Sequence, residues 1–166
     1  MPSPGAGWHA GPVTAAWRLR PATAEDVSFL ADVTIEATRD QGLVPDGFDE
    51  PEWRAGFEAW SHEQVRGEVE HSTTYVVEVD GLPAGRLRVV RTVEGVELAG
   101  LQLLPALQSR GVGTAIIEQL TDEASAAGQR LRLSVERVNG RARALYERLG
   151  FVEVGGDESE AVMERR

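Results

Sequence analysis

The run Gln108-Ser109-Arg110-Gly111-Val112-Gly113-Thr114 constrains this chain more than any other segment. It follows an apolar, strand-like stretch and opens a helix-like one. Two glycines at such a junction let the backbone turn tightly and leave several N–H groups clear of side chains. Those groups, with the positive end of the helix that begins there, suit a pyrophosphate. By itself the turn is equally an ordinary strand-to-helix connection. A second block about thirty residues on shifts that balance: Asn139, then Ala142, Ala144 and Leu145-Tyr146-Glu147-Arg148-Leu149-Gly150-Phe151.

Together the two blocks resemble the Gcn5-related N-acetyltransferase family. There a Q/R-x-x-G-x-G/A segment holds the diphosphate of acetyl-CoA, and an N-x-x-A-x-x-L-Y-x-x-x-G-F segment packs beside the thioester. The second pattern is met here residue for residue, and the resemblance spans about residues 17–165. It implies an α/β (α+β) fold, a mixed central sheet of about seven strands with flanking helices, splayed at the acetyl-CoA site. It further implies acetyl-CoA as co-substrate, with Gln108, Ser109, Arg110, Gly111, Val112, Gly113 and Thr114 around the diphosphate. The backbone of Leu101, Gln102 and Leu103 would pair with the pantetheine arm like an added strand. Dimerisation is common in the family, so the resemblance also allows a homodimer.

In the family the tyrosine matching Tyr146 is a general acid. A departing thiolate leaves more easily when protonated, and a phenol is a reasonable donor to it. The alternative is a packed helix tyrosine whose hydroxyl binds a carbonyl. Asn139 stands at a helix start, so it is an N-cap candidate as well as a cofactor-side residue.

An acetyl acceptor arrives as an ammonium and must lose a proton before attack. Histone-type members carry the base glutamate eleven residues before the position of Gln108, and here that residue is Glu97. Strand alternation predicts Glu97, Ala99, Leu101 and Leu103 on one face. A carboxylate in such an apolar row is partly desolvated and better suited to take a proton. The alternative is a solvated strand-end glutamate paired with an arginine such as Arg88. Peptide N-terminal acetyltransferases of the family often place a glutamate five residues before the motif asparagine; Ser134 stands there instead, which argues against that substrate class.

Composition closes several routes. The absence of Cys excludes a disulfide framework, a thiolate metal site and a cysteine nucleophile, so acetyl transfer has to be direct. His9, His62 and His71 have no metal-ligand spacing. A net charge of −10 argues against nucleic acid. It suits a cationic amine through steering, or simply a soluble surface. No apolar run spans a bilayer, and residues 1–15, rich in Gly, Pro and Ala, read as a flexible tail before one domain over 16–166 in a cytoplasmic protein.

Hydrophobic period and turn residues predict eleven elements. Strand Ala16–Arg20 precedes a helix capped by Thr23 and running to about Thr38, then a helix over Glu50–Gly67. Strands Thr73–Val79, Gly85–Val93 and Val96–Leu104 follow, joined by Asp80-Gly81 and Glu94-Gly95. Helix Gly111–Ala127, strand Leu131–Val135, helix Gly140–Leu149 and strands Phe151–Val154 and Ala161–Glu164 complete the chain. In the second helix Trp53, Phe57 and Trp60 share a face; such a stripe is normally core, although with Asp40, Asp46, Asp49, Glu50 and Glu52 nearby it also suits a cation. The leading expectation is transfer of acetyl from acetyl-CoA to a primary amine, preferably of a small molecule. A silent acyl-CoA-binding or partner-binding domain on the same fold is the alternative.

Overall fold

The computed structural model describes residues 15–166; the Gly/Pro-rich start over 1–14 lies outside the described residues. The element order is β1 (Trp17–Pro21), α1 (Val27–Asp40), α2 (Glu50–Val65), β2 (Ser72–Val79), β3 (Leu82–Arg91), β4 (Val96–Leu103), α3 (Val112–Ala126), β5 (Leu131–Glu136), α4 (Gly140–Arg148), β6 (Val152–Gly156) and β7 (Glu160–Arg165). Every expected element is present. Thr23 and Asp26 bracket a single 3-10 turn before α1 rather than capping α1 directly. β3 starts three residues earlier than expected, because Asp80 and Gly81 both take positive φ and pairing resumes at once at Val79 and Leu82.

The seven strands form one sheet in the order β1-β2-β3-β4-β5-β7-β6. β2 is buried on both faces. Val77 belongs to the main core with Ile116, Ile117 and Leu120 of α3, whereas adjacent Val76 packs with Leu30 of α1 and Phe57 of α2. So α1 and α2 cover one face and α3 the other, and the residues of α4 that pack inward (Ala142, Tyr146) join the α3 side.

β4 is irregular in two ways. It pairs with β5, in parallel, only through Val96–Leu98 and Leu131–Leu133, after which the strands part. It also carries a bulge against β3: Val89 faces Leu98 while Arg88 faces Gly100, leaving Ala99 as the extra residue. The expected alternation therefore fails. Leu101 and Leu103 stay on the α3 side, but Glu97 falls on the opposite face with Arg86, Arg88 and Gln102.

The outer edge is tied by charge. Buried Glu78 on β2 accepts from Arg18 and Arg20 of β1, and Arg20 also grips Asp26 at 2.9 and 3.0 Å. These guanidiniums hold both carboxyls below the usual carboxylate range. A lowered carboxyl pKa stabilises the fold above that range, and the contribution disappears as pH falls through it. Glu78→Gln is expected to cost about 2 kcal/mol at neutral pH, with the gap to the parent closing below about pH 4; urea melts at both pH values measure it.

Candidate active site

Where β4 leaves β5, a cleft of about 600 Å³ opens. One wall is the bare edge of β4 from Ala99 onward, whose outward N–H and C=O groups have no strand partner. Leu101, Gln102 and Leu103 line it. Gln108 closes the end of this edge, donating from Nε2 to the Leu103 carbonyl at 3.1 Å.

The glycine turn sits at one end of the cleft. Gly111 takes φ +82° and caps α3, and Ser109 before it is also left-handed at +63°. The first intrahelical bond runs from the Ala115 amide to the Gly111 carbonyl, so the amides of Val112, Gly113 and Thr114 are left without helical acceptors. They form a ready anion cradle. A Cβ on Gly113 would meet only Leu103 and Leu101 side chains, at 3.6 and 4.0 Å. A side chain there would fit in ordinary contact with two cleft-lining leucines, without a clash.

The facing wall is α4. Its cleft residues Arg141, Ala142, Leu145, Tyr146 and Arg148 recur at helical spacing. Tyr146 packs on Phe151, with ring centroids 5.6 Å apart. Burial alone raises its hydroxyl pKa; no hydrogen bond to a described residue contributes. The hydroxyl therefore stays protonated and is free of the carbonyl partner that a packing role would have required.

Not every expected residue reaches the cleft. The Val112 side chain is buried in the core, leaving only its amide to the cradle, and Arg110 is exposed outside the lining. Asn139 caps α4, accepting from the Ala142 amide at 3.1 Å, and its own amide donates to Gln41 at 3.3 Å. Gln41 lines the cleft from the end of α1. Glu97 is exposed and borders a separate cavity of about 410 Å³ at the start of β4, with Arg130, Arg132 and Glu164. Arg141 and Arg148 are additions; a helical wheel of α4 would have flagged them beside Leu145. Arg141 spans the cleft mouth, 3.2 Å from Gln108 and 3.6 Å from Asp40.

The aromatic stripe of α2 joins the core only in part, through Phe57, which packs against the Ala22, Leu30 and Val76 cluster. Trp53, Phe57 and Trp60 stack in sequence, half-exposed, and α2 buries only Ser61 and Gln64 fully. Their faces are taken by the protein's own cations, because Arg86 lies 5.3 and 5.4 Å from Phe57 and Trp60. Most of the nearby carboxylates have partners as well. Asp49 caps α2, Glu50 binds Arg39 and Arg54, and Asp40 faces Arg141.

Residues 34–151 match the sequence model of the Acetyltransferase (GNAT) family. The chain belongs to that family. As a GNAT protein it is an acetyl-CoA-dependent N-acetyltransferase. Its fold is shared with the PaiA N-acetyltransferase of Thermoplasma acidophilum in complex with coenzyme A, at TM-score 0.76 and 19% identity over 91% of this chain and 99% of that one. An acetyltransferase of Thermus thermophilus superposes at 0.67 with 20% identity, covering 90% and 96%. A Salmonella typhimurium acetyltransferase that modifies the N-terminal serine of ribosomal protein L7/L12 does so at 0.65 with 17% identity, covering 93% and 96%. Among the described residues no helix is long and apolar enough to cross a membrane, and no His, Cys, Asp or Glu cluster is built to hold a metal.

The two glycines of this GNAT turn separate stability from binding. Gly111→Ala places a side chain at left-handed φ and should cost roughly 1–2 kcal/mol. Gly113→Ala should leave the melting temperature unchanged or higher, since alanine favours helix. It should still weaken coenzyme A binding about tenfold by adding bulk beside the cradle amides. Thermal melts and calorimetry on both variants decide this.

Proposed function

We propose that this protein acetylates the primary amine of a small molecule by direct attack within a ternary complex. The observation that carries this reading is the cleft itself: an unpaired β4 edge, a helix-start anion cradle at one end, and an unbonded, protonated tyrosine hydroxyl in its wall. The residues present fit acetyl-CoA. The amides of 112–114 suit its diphosphate, and the free edge at Leu101–Leu103 suits the amides of its pantetheine arm. When bound, it supplies an activated acyl carbon.

The chain's own groups would handle the protons. Glu97 takes one from the acceptor ammonium, through water given its exposure, and Tyr146 gives one to the thiolate sulfur as the C–S bond breaks and the N–C bond forms. A small acceptor is favoured because α1 packs on β3, β4 and α2, and α2 on β2, leaving the first half compact.

Tyr146→Phe is expected to lower kcat about 100-fold while coenzyme A affinity stays within about twofold of the parent; unchanged thiol release would remove Tyr146 from the mechanism. Glu97→Gln should lower kcat/KM by about tenfold or more near neutral pH. That loss should shrink as pH approaches the amine's own pKa, where the acceptor arrives already neutral. A pH-independent loss, or none, argues against Glu97 as the base.

A further inference from the structure

Among the described residues Arg86 has no carboxylate partner. It is 4% exposed, and its Nε is buried with no partner. Its Nη1 donates only to the neutral Gln102 side chain, at 2.9 Å. Arg88, next on the same face, repeats the pattern: its Nε is also unpartnered, its Nη1 reaches the Ser72 hydroxyl at 3.3 Å, and Trp60 covers its guanidinium at 5.1 Å. Burial pushes the Arg86 guanidinium pKa down to about 10, and repulsion from Arg88 adds to this. Both stay charged at neutral pH.

Other partly buried arginines in the protein are matched. Arg20 has Asp26 and Glu78, Arg91 has Glu123, and Arg165 has Glu118. A chain with 27 acidic and 17 basic residues has no shortage of carboxylates. Holding Arg86 buried without a carboxylate bond, beside half-buried Arg88, opposes folding unless a counter-charge arrives. The backbone also makes room for them, since a Cβ on Gly100 would lie 2.6 Å from Arg86 Nη1. Arg86 reaches across to Gln102, which lines the cleft, while Arg88 reaches to Ser72 on β2. The Ala99 bulge sets Glu97 on this same face, near enough for its charge to act on Arg88.

We propose that the acceptor is a free amino acid, its carboxylate held by Arg88 and Arg86 beneath Trp60 and its amine directed to Glu97. An arginine fork matches a carboxylate in shape as well as charge, and the bound anion would supply the missing counter-charge. This rests on the acetyltransferase reading above and narrows it: polyamines and amino sugars lack the group that these arginines require.

The test measures thiol release from acetyl-CoA with free amino acids, each paired with its amide and its decarboxylated amine, and with spermidine. At least one amino acid should exceed both of its partners about 100-fold in kcat/KM. Arg88→Met should bring that amino acid down to the level of its amide, and Arg88→Lys should leave an intermediate preference. Arg86→Met should cut the preference without lowering the melting temperature, because it removes an uncompensated buried charge. Amides, amines or spermidine used as well as the amino acids would overturn this proposal and leave the acetyltransferase reading standing. So would a melting-temperature loss in Arg86→Met with equal loss of activity on every acceptor, the mark of a purely structural role. Silence on every acceptor would overturn both.

Discussion

The structure turns on a hydrogen-bond ladder that stops. β4 and β5 pair for three residues and then part. Backbone groups rarely stay unpaired away from water, so a strand edge exposed inside a molecule demands a partner. In the function proposed above that partner is the pantetheine arm of acetyl-CoA. The same parting directs β4 into the glycine turn and sets α4 opposite it, so that the anion cradle, the free edge and Tyr146 share one space. Closing that ladder would remove the site without disturbing the core, which lies between the sheet and α3 on one face and beneath α1 and α2 on the other.

Charge does two different jobs in the molecule. At the outer edge, Glu78 and Asp26 satisfy Arg18 and Arg20, and burial there is compensated by pairing. At the centre of β3, Arg86 and Arg88 are covered by aromatic faces, which soften a cation's desolvation but do not neutralise it. The difference between the two places is that each edge arginine is bonded to a carboxylate, whereas among the described residues no carboxylate bonds Arg86 or Arg88 and Glu97 acts on Arg88 only at a distance. The aromatic stripe of α2 takes its role from this arrangement: Phe57 and Trp60 roof the protein's own cations, and Phe57 also packs on the core beneath α1.

Most of the architecture was legible from residue order. Asp80-Gly81 announces a hairpin, alternation in β5 separates buried Leu131, Leu133 and Val135 from exposed Arg132 and Ser134, and helical spacing marks α3. The glycine turn and the Asn139-to-Phe151 block locate both ends of the cleft. The face of Glu97 was not legible, since a bulge depends on how two strands register and each strand read alone looks regular. Nor could a wheel of α2 distinguish an aromatic stripe over apolar neighbours from one over arginines brought in by another strand.

The sequence by itself determined the element order, the positive-φ turn at Gly111 and the chemistry available at Tyr146, because these are local properties of a few consecutive residues. Tertiary structure alone decided that Glu97 shares a face with Arg86 and Arg88, that the side chains of Arg110 and Val112 stay out of the cleft while Arg141 spans its mouth, and that Arg86 is buried without a carboxylate partner among the described residues. Those are relations between segments far apart in the chain, set by strand register and by which side chains packing leaves without a partner.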